Sequence, residues 1–144
     1  MPDETMDVEA QVKRLNAALR LQYRSAIQYT LAAGSLAGFE FQPLADSLGR
    51  FAREELDDAR RIAEKVTALG GEATDDVAPP RFEVDPRATV ELLIEMEGET
   101  LETLQAAIEP TGREAASEAI EHRLEHIIMR KQEQVDLLLR ASRG

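Results

Sequence analysis

The stretch Phe51-Ala52-Arg53-Glu54-Glu55-Leu56-Asp57-Asp58-Ala59-Arg60 decides how this chain is read. Phe51, continued upstream by Leu44 and Leu48 and downstream by Ile62, belongs to a series at steps of three and four. That spacing marks one face of a helix. Glu55 and Asp58 fall on the same face. A buried carboxylate is costly unless a cation or hydrogen bonds meet it. The stretch therefore reads as a core-facing helix whose apolar stripe is broken midway by charge.

Working outward, three more segments carry the same pattern. Leu15, Leu19, Gln22, Ala26, Tyr29 and Ala33 form the first stripe; Val90, Ile94, Glu97, Leu101, Leu104 and Ile108 form the third. Leu124, Ile127, Lys131, Gln134 and Leu138 form the fourth. The predicted helices span about residues 7–36, 43–69, 86–109 and 113–141. Pro43 suits a first turn and Gly70-Gly71 a helix stop. Pro110-Thr111-Gly112 reads as a tight turn, whereas the link from Gly71 to Arg87, with Pro79, Pro80 and Pro86, is long. Short first and last connections with a long middle one predict an all-α, antiparallel four-helix bundle with one crossover between helices two and three. We expect one domain covering residues 1–144.

Composition narrows the chemistry. Aromatic residues are 4 % of the chain, which disfavours an aromatic-rich β fold. Lys and Arg number 17 against 28 Asp and Glu, a net charge of −11 that argues against a nucleic-acid partner. There is no Cys, hence no disulfide, thiolate metal site or cysteine nucleophile. The acidic start, Met1 to Glu9, does not resemble an export signal. The apolar runs fall short of the ~20 residues of a membrane span. The expected location is cytoplasmic, with no membrane partner.

Each stripe is broken by polar residues: Gln22, then Glu55 and Asp58, then Glu97, then Lys131 and Gln134. Breaks at matching depth in four helices point to one shared polar layer. Leu15-Asn16 through Gln28-Tyr29, followed by residues 51–60, resembles helices one and two of the bacterioferritin and rubrerythrin-like branch of the ferritin-like superfamily, and the likeness extends over all four helices. In that family two helices each carry a Glu, and the other two carry Glu-x-x-His pairs, around a di-iron centre with ferroxidase activity. The resemblance places Gln22 where the first Glu belongs and Glu55-x-x-Asp58 on the first pair. It places Glu97, in preference to Glu95, on the second Glu, and Lys131-x-x-Gln134 on the last pair. Tyr29 matches the tyrosine beside the metal centre. Leu56 stands where the family's haem-ligating methionine lies between Glu and His, so no haem is expected.

Only Glu55 and Glu97 keep the family residue, and both ligand histidines are absent. Lys131 carries no lone pair while protonated, so it opposes a metal and can satisfy the carboxylates itself. We therefore expect a degenerate di-iron site, no catalytic residues and no cofactor. The expected role is a structural or partner-binding bundle linked to iron or oxidative-stress physiology, its protein partner unidentified. The alternative is a ferroxidase or iron store with non-standard ligands, holding iron or manganese between Glu55, Asp58 and Glu97. Metal-free redox chemistry at Tyr29 beside Lys131 is a further alternative. His122 and His126, spaced i, i+4, read as a solvated helix face rather than a surface metal site. With ten residues after Gln134, the short fifth helix of bacterioferritin cages is not expected. A homodimer through helices one and two, with Leu21, Phe39 and Phe41 contributing, is the expected assembly.

Overall fold

The computed structural model describes residues 6–109 and 112–143; Pro110 and Thr111 of the expected tight turn lie outside the described residues. Four long helices run through it: α1 (Val8–Ser35), α2 (Gln42–Ala68), α3 (Pro86–Ala106) and α4 (Ala115–Arg143). Several ends have a local cause. Asp7 caps α1 by accepting from the Ala10 amide at 3.1 Å, and Asp85 caps α3 through Ala88 at 3.0 Å. Gly38, at φ 107°, leads into the short 3₁₀ turn Phe39–Phe41, so α2 begins one residue before Pro43.

The end of α2 is closed by paired carbonyl caps. The Gly71 amide donates to Val66 at 3.0 Å and the Gly70 amide to Thr67 at 2.9 Å. Gly70 takes φ 84°, which a side chain would resist. Gly71 lies so close to Val12 that a Cβ there would fall 2.8 Å from the valine. These two glycines turn the chain into the crossover, which α1 holds down from end to end. Asn16 bonds both Glu72 and Thr74, Tyr23 donates to the Thr74 carbonyl at 2.9 Å, and Arg20 pairs with Asp76 at 2.7 Å. Gln28 closes the strap with two bonds to the Arg81 backbone, of 2.6 and 2.7 Å.

The crossover returns the chain to the far end, so α1 packs against α2 and α3, and α4 against α3. The result is the expected all-α bundle. Its apolar core is in two parts. One contains Leu15, Leu19, Ile62, Val66, Leu104, Leu124 and Ile127; the other contains Tyr29, Leu48, Phe51, Val90, Leu93 and Leu138. Tyr29 meets Phe51 edge-on, with ring centroids 5.6 Å apart. The stripes depart from the sequence reading at a few positions. Ala32 is buried where Ala33 was expected, and on α3 Leu93, Thr100 and Ala107 face inward while Ile94, Leu101 and Ile108 are half-buried. What divides the core is a slab of polar side chains.

Candidate functional site

Gln22, Glu55, Glu97, Lys131 and Gln134, between them from all four helices, are each no more than 2 % exposed. Their placement follows from the helical repeat. Gln22 lies three residues after Leu19, Glu55 four after Phe51, Glu97 four after Leu93 and Lys131 four after Ile127, all on buried stripes. Glu95, the competing acid on α3, is exposed and faces Arg81 at 3.7 Å.

At the centre, the Lys131 ammonium donates to Glu55 Oε2 at 2.6 Å and to Glu97 Oε2 at 2.8 Å. The remaining carboxylate oxygens are met as well. Gln134 Nε2 donates to Glu55 Oε1 at 2.6 Å, and Ser25 Oγ donates to Glu97 Oε1 at 2.6 Å. The Gln22 amide donates to Glu55 Oε2 and, at 2.9 Å, to its backbone carbonyl. Gln134 Nε2 also reaches the Tyr29 hydroxyl at 3.5 Å. Charge-assisted bonds of this kind are worth roughly 1.5–3 kcal/mol each where they replace unmet desolvation. The network therefore locks the register of α1, α2, α3 and α4 at one level.

Titration follows from these contacts. Burial pushes the Lys131 ammonium down, but Glu55 and Glu97 outweigh it and hold its pKa above the ordinary lysine value. Burial raises the Glu97 carboxyl; Lys131 opposes this, Glu55 adds to it, and the balance stays upward. Burial, then the charges of Glu97 and Glu55, raise the Tyr29 phenol well above its usual value. At neutral pH the layer thus holds an ammonium and a neutral phenol.

Asp58 takes a different place from the one its spacing suggested. Its carboxylate turns toward the α2–α4 groove, where Arg61 pairs with Oδ1 at 2.9 Å and Arg130 with Oδ2 through Nε at 2.9 Å. Arg130 also donates to Glu54 at 2.9 Å and to Gln134 Oε1, and stands 3.6 Å from Glu55 Oε1. The sequence reading missed Arg130. It lies one residue before Lys131, off the stripe, and looks like a surface arginine. Its one legible signal was the i, i+4 spacing to Gln134.

A two-iron carboxylate centre does not fit this donor set. No imidazole reaches the layer, since His122 and His126 are both exposed. The acids expected to hold a metal, Glu55, Asp58 and Glu97, meet side-chain cations instead: Glu55 and Glu97 close on Lys131, and Asp58 closes on Arg130 and Arg61. Among the described residues, no group of three or more His, Cys, Asp or Glu side chains is arranged to hold a metal ion. An ammonium at bonding distance from both Glu55 and Glu97 repels a divalent ion there.

Known proteins place the fold. A ferritin-like, diiron-carboxylate protein of Bacillus anthracis superposes with a TM-score of 0.85 at 24 % identity, covering 99 % of both chains. A Rhodobacter capsulatus bacterioferritin, described with a metal-free dinuclear site and haem iron, gives 0.84 at 22 % identity over 93 % of this chain and 84 % of that one. A dodecameric thioferritin from Bacteroides fragilis gives 0.83 at 19 % identity over 94 % and 85 %. No curated protein matches the sequence. The sequence profile of the ferritin-like domain matches residues 12–140. By that match, and with its four helices around a polar layer, the chain belongs to the ferritin-like family.

Proposed function

We propose that this chain is a ferritin-like bundle in which a lysine has replaced interior metal, and that its role is structural or partner-binding rather than ferroxidase. The observation that carries this reading is Lys131 Nζ lying 2.6 Å from Glu55 and 2.8 Å from Glu97, so that one internal cation balances two buried acids. Replacement of the remaining ligand positions by Gln22, Asp58 and Gln134 supports it. No resident cofactor is then required, and with Leu56 between Glu55 and Asp58 no haem ligand is supplied. A link to iron or oxidative-stress physiology rests on family membership alone. Among the described residues no helix is long and apolar enough to cross a membrane, and we take the cytoplasm as its compartment. Metal analysis of protein purified without chelator tests the reading, with iron expected well below one atom per chain.

Self-association is part of the same proposal. The outer face of α1 and α2 leaves Ile27 and Leu31 at the surface, and Leu56 is 61 % exposed. A shallow groove of about 480 Å³ includes Leu56 in its lining, with Tyr23, Arg53, Ala59, Arg60 and Ala63. Phe39, at the end of the same helix pair, is 99 % exposed, whereas Phe41 and Leu21 are half-buried. An isologous pairing of two such faces buries these side chains and gives a homodimer. Light scattering is expected to give twice the chain mass, and Leu56→Glu to shift the protein to monomer with unchanged helicity. A particle of many subunits, or a variant that stays dimeric, would contradict the assignment of this face.

A further inference from the structure

Arg130 stands outside the six positions singled out by family resemblance, yet it lies between the layer's acids and solvent. It projects from α4 into the groove beside α2, the most sparsely packed of the helix pairs that touch. On one side of it lies a cavity of about 370 Å³ lined by Asp58, Arg61, Arg123 and His126. On the other lies one of about 290 Å³ lined by Arg50, Glu54 and Gln134, and Arg130 borders both. Its side chain is 26 % exposed, against 0 % for Glu55, 3 % for Asp58 and 0 % for Lys131 behind it.

We propose that Arg130 is the lid of the polar layer and its second internal cation, seated among Glu54, Glu55 and Asp58 so as to exclude divalent ions from these carboxylates. The proposal rests on the reading that Lys131 is the first such cation. A guanidinium stays charged at any pH the fold survives, and its planar fork meets several acceptors at once. Here Nε and Nη2 are spent on Asp58, Nη1 on Glu54 and Gln134, and Glu55 lies 3.6 Å away. Carboxylates and an amide oxygen are the donors that hard divalent ions prefer, so the guanidinium occupies oxygen-rich space such an ion would otherwise enter. The cavities on both sides bring solvent up to the guanidinium, whereas Lys131 is sealed in the core. Exclusion of ions from the groove therefore falls to Arg130.

Titration of Mn(II) into the metal-free chain tests this, with Arg130→Gln, Arg130→Ala and the pair Arg130→Gln/Asp58→Asn beside wild type. We expect Arg130→Gln to bind one Mn(II) per chain about tenfold or more tighter than wild type. Adding Asp58→Asn should abolish that gain. Folded Arg130 variants that bind no more tightly than wild type overturn the proposal. So does failure of both single variants to fold, because a lid is dispensable for folding where a strut is not. Tight metal binding by wild type itself would overturn the functional reading. A wild type without metal, beside unresponsive Arg130 variants, would overturn the lid alone.

Discussion

Replacing Lys131 with methionine is expected to cost about 3–5 kcal/mol of stability at pH 7, because it strips the cation from two fully buried acids. Methionine fills much of the same volume, so the loss reports charge rather than a cavity. Urea unfolding should show the fall as a lower midpoint at an unchanged slope. The pH dependence has a definite sign. Burial already raises the Glu97 carboxyl, and losing the ammonium removes the charge that opposes this. The variant should therefore regain stability as pH falls through the raised Glu97 value toward the ordinary glutamate value of about 4.3. In wild type, the Lys131 pKa is raised above its unfolded value. Its contribution is therefore complete below about pH 10.4 and is lost as pH rises through the folded value. Adding Glu55→Gln and Glu97→Gln to Lys131→Met should restore most of the loss. A single variant as stable as wild type would mean that Lys131 is not the counter-ion of the layer.

The second large effect is a gain of metal. Gln22→Glu, Asp58→His, Lys131→Glu and Gln134→His together restore the six residues of a two-iron carboxylate centre on these helices. The family resemblance implies that such a variant takes up two Fe(II) per chain and consumes oxygen, against neither for the parent. Arg130 refines the expectation, since its guanidinium lies 3.6 Å from Glu55 and already holds Gln134. If it is the lid, binding should be weak in the fourfold variant and strengthen on adding Arg130→Gln. Failure of both to bind iron would show that the frame, and not only the ligands, has diverged.

Much of the architecture was legible in the residues, for an identifiable physical reason. Apolar side chains at steps of three and four leave few alternatives once four such stripes are joined by two short connections and one long one. Glu97 was separable from Glu95 because Leu101, Leu104 and Ile108 fall at the matching core offsets from it, and it is the buried one. Lys131 on a core stripe was the clearest signal of the interior. Periodicity says which face a Cα presents, but not where a long side chain ends. Arg130 begins off the stripe and curls back to the acids of α2, burying its stem while its head stays partly wet. Asp58 begins on the stripe and turns outward to Arg130 and Arg61. The burial of Gln11, which donates to the Ala107 carbonyl at 2.7 Å, was hidden for a related reason: its partner is a helix end, not a side-chain pattern.

Metal content with Fe(II) oxidation, measured on unmodified protein purified without chelator, tests the central claim most directly. A chain whose interior charge is balanced by Lys131 should hold iron far below stoichiometry. It should oxidise added Fe(II) no faster than buffer does. Two tightly held irons per chain with rapid Fe(II) oxidation would contradict the account, and would require Lys131 to leave Glu55 and Glu97 when metal arrives.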